Sequence, residues 1–410
     1  MGKVSNKYFS VIKVLLLSCI IGVSGGIVGS LFSYSVEFVT ELRAEKGWLL
    51  YLLPLGGLAT AGIYKLTKLK GVSTNTILES VRTPNRVPVC IASVMFVCTV
   101  ITHLFGGSAG REGAALQIGG GIASYFSGLF KLDEESRRTL IQCGMAAMFS
   151  ALFGTPFAAV LFALEVVCVG HIRLAAVIPC SVSGAISFLV AQKCGKSPER
   201  FMCNSVPSFS FYIILKVILI AVAGAVLSSI FCKLLHFAEH YIAKFLKNEF
   251  IRAFICGCAV VIISVLLKTT DYNGGGLNIV SRIFMHGEYR SEAFLLKILL
   301  TVLTVAGGYK GGEIVPSLFI GATFGAFCGG LVEVDVAFAA AIGAAAMFCG
   351  ISKCLLSSII ISAELFGFGG IGYYALACII SFLFSGKSGL FNQDRIRVSE
   401  FIGNIRANNN

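Results

Sequence analysis

Apolar stretches long enough to cross a lipid bilayer recur along this chain. The first, YFSVIKVLLLSCIIGVSGGIVGSLF, covers residues 8–32 and contains a single lysine. A membrane-spanning helix needs about 20 mainly apolar residues, and only 13% of the 410 residues are charged. We therefore predict an all-α polytopic protein that is embedded in the lipid bilayer of the plasma membrane. Further apolar runs lie near residues 86–105, 209–233, 251–267, 295–306 and 371–384.

Basic residues lie in short polar stretches beside these runs. The net charge is +12, and lysine and arginine near helix ends orient a membrane protein with its positive segments inside the cell. This placement accounts for the charge without a nucleic-acid partner, and the lysines ahead of the first apolar run favour a cytoplasmic N-terminus. The basic groups are Lys3 and Lys7, then Lys65, Lys68 and Lys70, then Arg137 and Arg138, and finally Arg395 and Arg397.

Two stretches of the first half of the chain recur in the second half. GGSAGREGAALQIGGGIASYF from Gly106 resembles GGYKGGEIVPSLFIGATFGAF from Gly307, and both carry a glutamate six positions after the first glycine. GMAAMFSALFGTPFAAVLFALE from Gly144 matches GAAAMFCGISKCLLSSIIISAE from Gly343 without a gap. This duplication predicts a protein built from two related halves.

The duplication also predicts how the chain is divided. We expect a first membrane repeat over residues 8–205 and a second of inverted topology over residues 206–400, as in many transporters. A cytoplasmic segment, residues 1–7, precedes them. A tail, residues 401–410, follows with no regulatory domain.

The glycine-rich starts of the repeated segments predict an anion site. Helices that begin near the middle of the bilayer leave unpaired backbone N–H groups and a positive partial charge at their first turn. Two such starts, one from each half, form an anion site without a formal cation. Glu112 lies in one first turn, where its carboxylate can take the place of an ion and leave when protonated. The alternative is that Arg111 and Glu112 form an ion pair that only stabilises the structure.

These residues resemble the CLC family of chloride channels and transporters. GREGAALQIGG is similar to the G-R-E-G-P helix start of the family, with Ala114 at the proline position, and GTPFAAVLFALE resembles the segment that follows. GGEIVPSLFIGA resembles the G-x-F-x-P region of the second half, and GVSTNTILESV, residues 71–81, lies where G-S-G-I-P is expected. The resemblance covers residues 8 to about 400.

The resemblance implies a homodimer in which each subunit carries its own anion pathway, with no cofactor. It implies that Glu112 is the gating glutamate and that Glu313 takes part in proton transfer. Backbone amides at the helix starts would coordinate the anion. The implied anion-binding residues are Ser73, Thr74, Asn75, Gly110, Arg111, Gly113, Gly312, Ile314, Val315 and Phe391.

Several departures from the CLC pattern are similar to its fluoride-exporting branch. The serine of G-S-G-I-P is missing, Val166 stands where chloride–proton exchangers often keep an inner glutamate, and residue 313 is glutamate instead of an apolar residue. Phe391 stands at the position of the anion-coordinating tyrosine, and Thr76 and Phe391 depart from the pattern of the branch. We predict proton-coupled export of fluoride. The alternative is a chloride channel or chloride–proton exchanger.

Other polar residues have simpler interpretations. Glu165 and Glu364 occupy equivalent places in the two halves, which favours capping or pairing with backbone amides over transport. Asn75 either caps its short helix or donates to the ion. Lys310 either raises the local positive potential or lies at the water boundary.

One motif suggests a different class of function. HFAEH, from His236 to His240, matches the H-x-x-E-H pattern of some zinc peptidases, and its spacing places both imidazoles on one helix face. No convincing downstream acidic ligand follows. The zinc peptidase is therefore a remote alternative, and we predict no metal site and no enzymatic activity.

Overall fold

The computed structural model describes residues 2–69, 71–391 and 394–395, without the side chains of residues 2–10 and 394–395. Lys70, Arg397 and the predicted tail 401–410 lie outside the described residues. Residues 2–7 belong to the first helix, which begins at Gly2. The first half contains α1 (Gly2–Glu45), a 3-10 helix (Gly47–Leu52), α2 (Leu53–Leu66), α3 (Thr74–Arg82), α4 (Ile91–Leu104), α5 (Glu112–Leu129), α6 (Glu134–Phe153), α7 (Pro156–Glu165), β1 (Cys168–Val169) and α8 (Leu174–Lys193).

The second half, as far as it is described, also contains eight α-helices. It contains α9 (Phe211–Phe245), α10 (Glu249–Leu266), α11 (Leu277–His286), α12 (Ala293–Ala306), α13 (Ile314–Val332), α14 (Val336–Ser352), α15 (Leu355–Phe366), a 3-10 helix (Phe368–Gly370) and α16 (Ile371–Phe384). β2 (Asp394–Arg395) pairs in parallel with β1.

Six helical segments in the described part of the chain are long and apolar enough to cross a membrane. Their surfaces carry large apolar side chains, such as Leu16 and Phe38 of α1, which are 63% and 65% exposed. Such surfaces fit a hydrocarbon environment, because extended exposed apolar patches mark contacts with a membrane or another protein. The prediction of an all-α polytopic membrane protein is confirmed. The segments are Val11–Glu45, Gly47–Leu66, Leu174–Lys193, Phe211–Phe245, Glu249–Leu266 and Ile314–Val332.

Close helix packing on glycine forms the centre of each half. A Cβ added at Gly119 of α5 would lie 2.1 Å from the carbonyl oxygen of Gly144 in α6. In the second half, a Cβ at Gly321 of α13 would lie 2.6 Å from the carbonyl oxygen of Gly343 in α14. Small residues allow such close approach of helices where no hydrophobic effect drives association. The predicted repeat is therefore also a repeat of packing geometry.

Glu165 and Glu364 join the two halves through reciprocal caps. The carboxylate of Glu165, at the end of α7, accepts the N–H groups of Leu356 (3.0 Å) and Ser357 (2.7 Å) at the start of α15. The carboxylate of Glu364, in the last turn of α15, accepts the N–H groups at the start of α7 in the same way, at 2.8 and 3.3 Å. The predicted pairing of these glutamates with backbone amides is confirmed. The arrangement makes α7 and α15 antiparallel, as inverted repeats require.

Candidate anion site

The starts of α5 and α13 meet at one point inside the protein. Gly110 and Gly312, which precede the two helices, form an antiparallel bridge. The Gly110 N–H donates to the Gly312 carbonyl at 2.6 Å, and the Gly312 N–H donates to the Gly110 carbonyl at 2.8 Å. The first-turn amides of both helices therefore converge on a shared region, as the repeated glycine segments predict.

This junction leaves no room for side chains between the two backbones. A Cβ added at Gly312 would lie 2.4 Å from the backbone nitrogen of Gly113, and a Cβ added at Gly113 would lie 3.0 Å from the Cα of Gly312. Both glycines are required by close backbone approach. The first turns can therefore present their amides directly to a small ligand.

Glu112 binds the start of the opposite helix with its own side chain. The residue is 0% exposed, and its Oε2 accepts the N–H of Val315 in the first turn of α13 at 3.2 Å. Its Oε1 has no hydrogen-bond partner within the described residues. Ile314, the other first-turn residue with an N–H ahead of Pro316, is also buried. The carboxylate thus lies where an anion would meet the helix dipole.

The side chain of Arg111 points away from the junction. It donates to Ser33 at 3.0 Å and to Glu37 at 3.3 Å, and it also pairs with Glu199. Lys196 binds the same Glu37 at 2.5 Å. Among the described residues, Arg111 forms its ion pairs with Glu37 and Glu199, and no hydrogen bond joins its side chain to Glu112. Only the backbone of Arg111 lies at the helix start.

Two cavities approach the junction from different sides. The cavity containing Glu112, here called the Glu112 cavity, has a volume of about 670 Å³ and is lined by Gly110, Arg111 and Val315 and by residues near the end of α1. The Glu313 cavity has a volume of about 430 Å³. The two glutamates lie in different cavities with the glycine bridge between them. Other residues that line the Glu313 cavity include Tyr64, Ser73, Thr74, Gln117, Glu239, Glu249, Arg252 and Lys310.

The start of α3 completes the Glu313 cavity. Ser73 is the N-cap of α3 and its N–H donates to Thr76 Oγ1 at 3.2 Å. Thr74 Oγ1 accepts from Gln117 Nε2 at 3.1 Å and lies 3.4 Å from the Gly113 carbonyl. Asn75 is the second residue of the helix, so of its two alternatives the capping one is wrong. Ser73, which follows the turn at Gly71 and Val72, occupies the cap position instead.

Phe391 lies outside both cavities, in an aromatic cluster. Its ring is 6.4 Å from the ring of Phe162. Phe162 in turn contacts Phe149 at 4.9 Å and Phe348 at 5.8 Å. Phe149 and Phe348 are equivalent residues of the two repeats, so the cluster lies on the boundary between the halves. Without a hydroxyl, Phe391 offers an anion only the positive edge of its ring.

One buried cation, Lys297, was not identified from the sequence. Lys297 of α12 is 0% exposed, and its ammonium donates to the carbonyls of Tyr272 (3.0 Å) and Gly274 (2.5 Å). A lysine within an apolar run is a weak sequence signal unless its partners are known. Lys310 lines the Glu313 cavity, with Nζ 4.1 Å from the centre of the Tyr64 ring. Its position supports the interpretation that it adds positive potential to the site.

The HFAEH motif contributes its acid to the site instead of its histidines. His236 and His240 are exposed, and Glu239 lines the Glu313 cavity. Within the residues that the structure describes, no group of three histidine, cysteine or acidic side chains could hold a metal ion. Among these residues, the motif has no third ligand of the kind that a zinc peptidase needs.

Comparison with known proteins identifies a family to which the chain is similar and relatives within it. The chain matches the family described as "Voltage gated chloride channel" over residues 56–386. It is 30% identical, over 392 residues, to the "Chloride/fluoride channel protein" of Pseudomonas syringae pv. tomato, covering 94% of this chain and 86% of that relative. The crystal structure of a CLC-type fluoride/proton antiporter superposes with a TM-score of 0.91 at 30% identity, covering 95% of this chain and 99% of that one. A slow cyanobacterial Cl⁻/H⁺ antiporter shares the fold, with a TM-score of 0.76 at 18% identity over 96% of this chain and 98% of that one.

Proposed function

Because the chain belongs to the voltage-gated chloride channel (CLC) family and is a membrane anion transporter, we propose that it exports fluoride in exchange for protons. The similar solved structure is a fluoride/proton antiporter, and the similar bacterial protein is named for chloride and fluoride. Glu112 acts as the gate, and Glu313 acts as a second proton carrier. The protein has no catalytic role in covalent chemistry.

One observation carries this proposal: the Glu112 carboxylate accepts the Val315 N–H at the start of α13. A carboxylate is itself an anion, so it competes with a permeating anion for the same first-turn amides. Protonation removes its charge and weakens this hydrogen bond, because charge-assisted bonds are about twice as strong as neutral ones. The side chain can then leave, and an anion can take its place. Competition of a proton-bearing group and an anion for one site is what couples their movement in opposite directions.

The chemistry of fluoride agrees with the donors at the junction. Fluoride is small and strongly hydrated, so its dehydration requires short hydrogen bonds from donors that are already in place. The touching backbones at Gly113 and Gly312 allow amides from two helix starts to approach one small ion. Glu313 stands where an apolar residue is expected in chloride-selective members, and Val166 supplies no inner carboxylate. Two carboxylates at the junction support proton coupling in place of a simple channel.

We propose that the Glu313 cavity opens toward the cytoplasm. Lys13, near the start of α1, donates to the carbonyl of Phe130 after the end of α5, which places these two ends on the side of the N-terminus. Tyr64, at the end of α2, lines the Glu313 cavity, and Lys65 and Lys68 follow it. Basic residues on that side agree with a cytoplasmic N-terminus. The Glu112 cavity, at the far end of α1, would then face outward.

We also propose a homodimer, as is typical of the family. Several helices of different lengths carry exposed large apolar side chains. The exposed fraction is 71% for Phe157 of α7, 80% for Leu174 of α8 and 69% for Leu383 of α16. A helix of 10 residues such as α7 is too short to span the bilayer by itself. Burial against a second copy would cover this surface.

Anion flux from proteoliposomes tests the function. Vesicles loaded with fluoride or with chloride are compared, with external anion measured by electrode and proton uptake measured by pH. Fluoride efflux should exceed chloride efflux and should drive proton uptake. Chloride efflux equal to fluoride efflux would favour a chloride channel or exchanger instead.

Substitutions at two positions test the roles of the carboxylates. Glu112→Gln and Glu112→Ala should abolish fluoride-driven proton uptake, with fluoride flux either lost or no longer gated, and Glu313→Gln should alter coupling or selectivity. Glu41→Gln, an acid that lines the same cavity as Glu112, is the matched control and should retain coupling. Unchanged proton uptake in both Glu112 variants would contradict the gating role.

A further inference from the structure

Glu239 is a carboxylate in the transport path that the proposed exchange does not yet use. It lies near the end of α9 and lines the Glu313 cavity. Cys232 and Leu235 of the same helix are buried. Residues four and seven positions apart share a helix face, but Glu239 itself is exposed, so it lies where this face of α9 meets water at the edge of the cavity. The cavity therefore receives an acid from a helix that spans the membrane.

Charges from several elements surround this carboxylate. Glu313 shares the wall of this cavity with Glu239 and Lys310, and the charges of these two groups and of Glu112 act on it. His236 of α9, Arg252 of α10 and Lys310 interact with Glu239 in the same way. The remaining titratable groups on the cavity wall are Tyr64 and Tyr309, together with Glu249 at the start of α10.

The Glu313 cavity provides a route for protons. A volume of about 430 Å³ is far more than the roughly 10–15 Å³ that one water molecule requires. Val166, at the position of the usual inner glutamate, is fully buried and carries no proton. Glu239, Glu313 and Glu112 therefore form a series of acids that leads from the cavity to the junction of the two helix starts.

Resting on the proposed fluoride–proton exchange, we infer that Glu239 transfers protons between the water of this cavity and Glu313. In one direction, the O–H bond of protonated Glu239 breaks as its proton passes, directly or through a cavity water, to a carboxylate oxygen of Glu313. A new O–H bond forms on Glu313, and Glu239 becomes a carboxylate that takes a proton from hydronium at the cavity mouth. The opposite direction reverses each step. Lys310 stabilises the state in which both carboxylates are charged.

Substitution of Glu239 separates proton transfer from the effect of its charge. Glu239→Gln keeps the size of the side chain but carries no proton, whereas Glu239→Asp and Glu239→His both carry one and differ in the sign of their charge. Glu249→Gln removes an equal charge from the wall of the same cavity and is the matched control. Each variant is reconstituted, and fluoride efflux and proton uptake are measured across a series of pH values on the cavity side.

The inference predicts a specific order among the variants. Glu239→Gln should lower coupled flux by about tenfold, less than the roughly 10²-fold effect of a positioned acid–base group, because cavity water still delivers some protons. Glu239→Asp and Glu239→His should both restore most of the flux, and Glu249→Gln should match the wild type. Wild-type flux in Glu239→Gln, or lower flux in Glu239→His than in Glu239→Gln, would overturn the inference alone. Absence of fluoride-driven proton uptake in the wild type would overturn the proposed function and this inference with it.

Discussion

Substitution of Gly312 by alanine tests whether transport requires contact between the two helix starts. The added Cβ would lie 2.4 Å from the backbone nitrogen of Gly113, and ordinary contact begins at 3.4 Å. The two backbones must therefore separate by about 1 Å, because the added Cβ clashes with a backbone atom and not with a flexible side chain that could move aside. Gly312 does not have a positive φ, so the effect is steric and not conformational.

The separation has a cost in stability and in transport. It would weaken the two bridge hydrogen bonds between Gly110 and Gly312, now 2.6 and 2.8 Å long, each worth about 1 kcal/mol. The free energy of unfolding should therefore fall by about 2 kcal/mol, within the range of about 1–3 kcal/mol for overpacked sites. Fluoride flux should fall by about 100-fold, since a shift of about 1 Å in a positioned group reduces rates by that order.

Fluoride efflux from proteoliposomes and thermal unfolding in detergent measure these effects. Gly128→Ala is the matched control, because Gly128 lies in the last turn of α5 and a Cβ there meets nothing within 4 Å. It should leave flux unchanged and stabilise the helix by up to about 1 kcal/mol. Wild-type fluoride flux in folded Gly312→Ala would refute the requirement for contact between the helix starts.

Three further predictions follow from the contacts of the fold. Glu165→Gln and Glu364→Gln should each lower the free energy of unfolding by about 1 kcal/mol, the value of a helix cap. The fluoride flux per folded protein should not change. A change of flux in only one of the two variants would give that glutamate a role in transport. Arg111→Lys should lower the free energy of unfolding by about 1.5–3 kcal/mol, the value of one hydrogen bond between charged groups, because lysine cannot form the paired hydrogen bonds of the guanidinium group. A melting temperature equal to that of the wild type would show that these ion pairs do not contribute to stability. Cys194 and Cys90 are both exposed. The Cys194 carbonyl accepts the hydroxyl of Tyr34 in the later part of α1, whereas the segment before Cys90 contacts Ser124 near the end of α5, which Lys13 ties to the start of α1. A membrane-impermeant thiol reagent added to intact cells should therefore label Cys194 and not Cys90, and labelling of Cys90 but not Cys194 would reverse the proposed orientation.

The sequence was sufficient to identify the class of protein and its repeat. The length of an apolar run is a local property, and the cost of leaving backbone groups unpaired in hydrocarbon makes helices the outcome. The repeat was visible because Gly144 and Gly343 perform the same packing task in both halves. Glu165 and Glu364 could be assigned to capping for the same reason, since equal placement at helix ends indicates a shared structural role.

Local patterns failed where the partner of a side chain lies far along the chain. Asn75 was a plausible cap from its residue type, but the turn before α3 places Ser73 at that position. Glu239 was visible only as part of a zinc-like motif, because the direction of a helix face depends on what packs against it. The HFAEH spacing correctly predicts which residues share a helix face, but it does not predict which cavity that face lines.

Sequence alone therefore determined the membrane environment, the two halves and the presence of a carboxylate at a glycine-rich helix start, because each depends on neighbouring residues and on hydrophobicity. Only the tertiary structure decided that Gly110 meets Gly312, that Arg111 turns away to Glu37 and Glu199, and that Glu112 and Glu313 lie in separate cavities. These contacts join residues that are remote in the chain, and their distances are set by the packing of whole helices. A site formed where two halves touch exists only once both halves have folded around it.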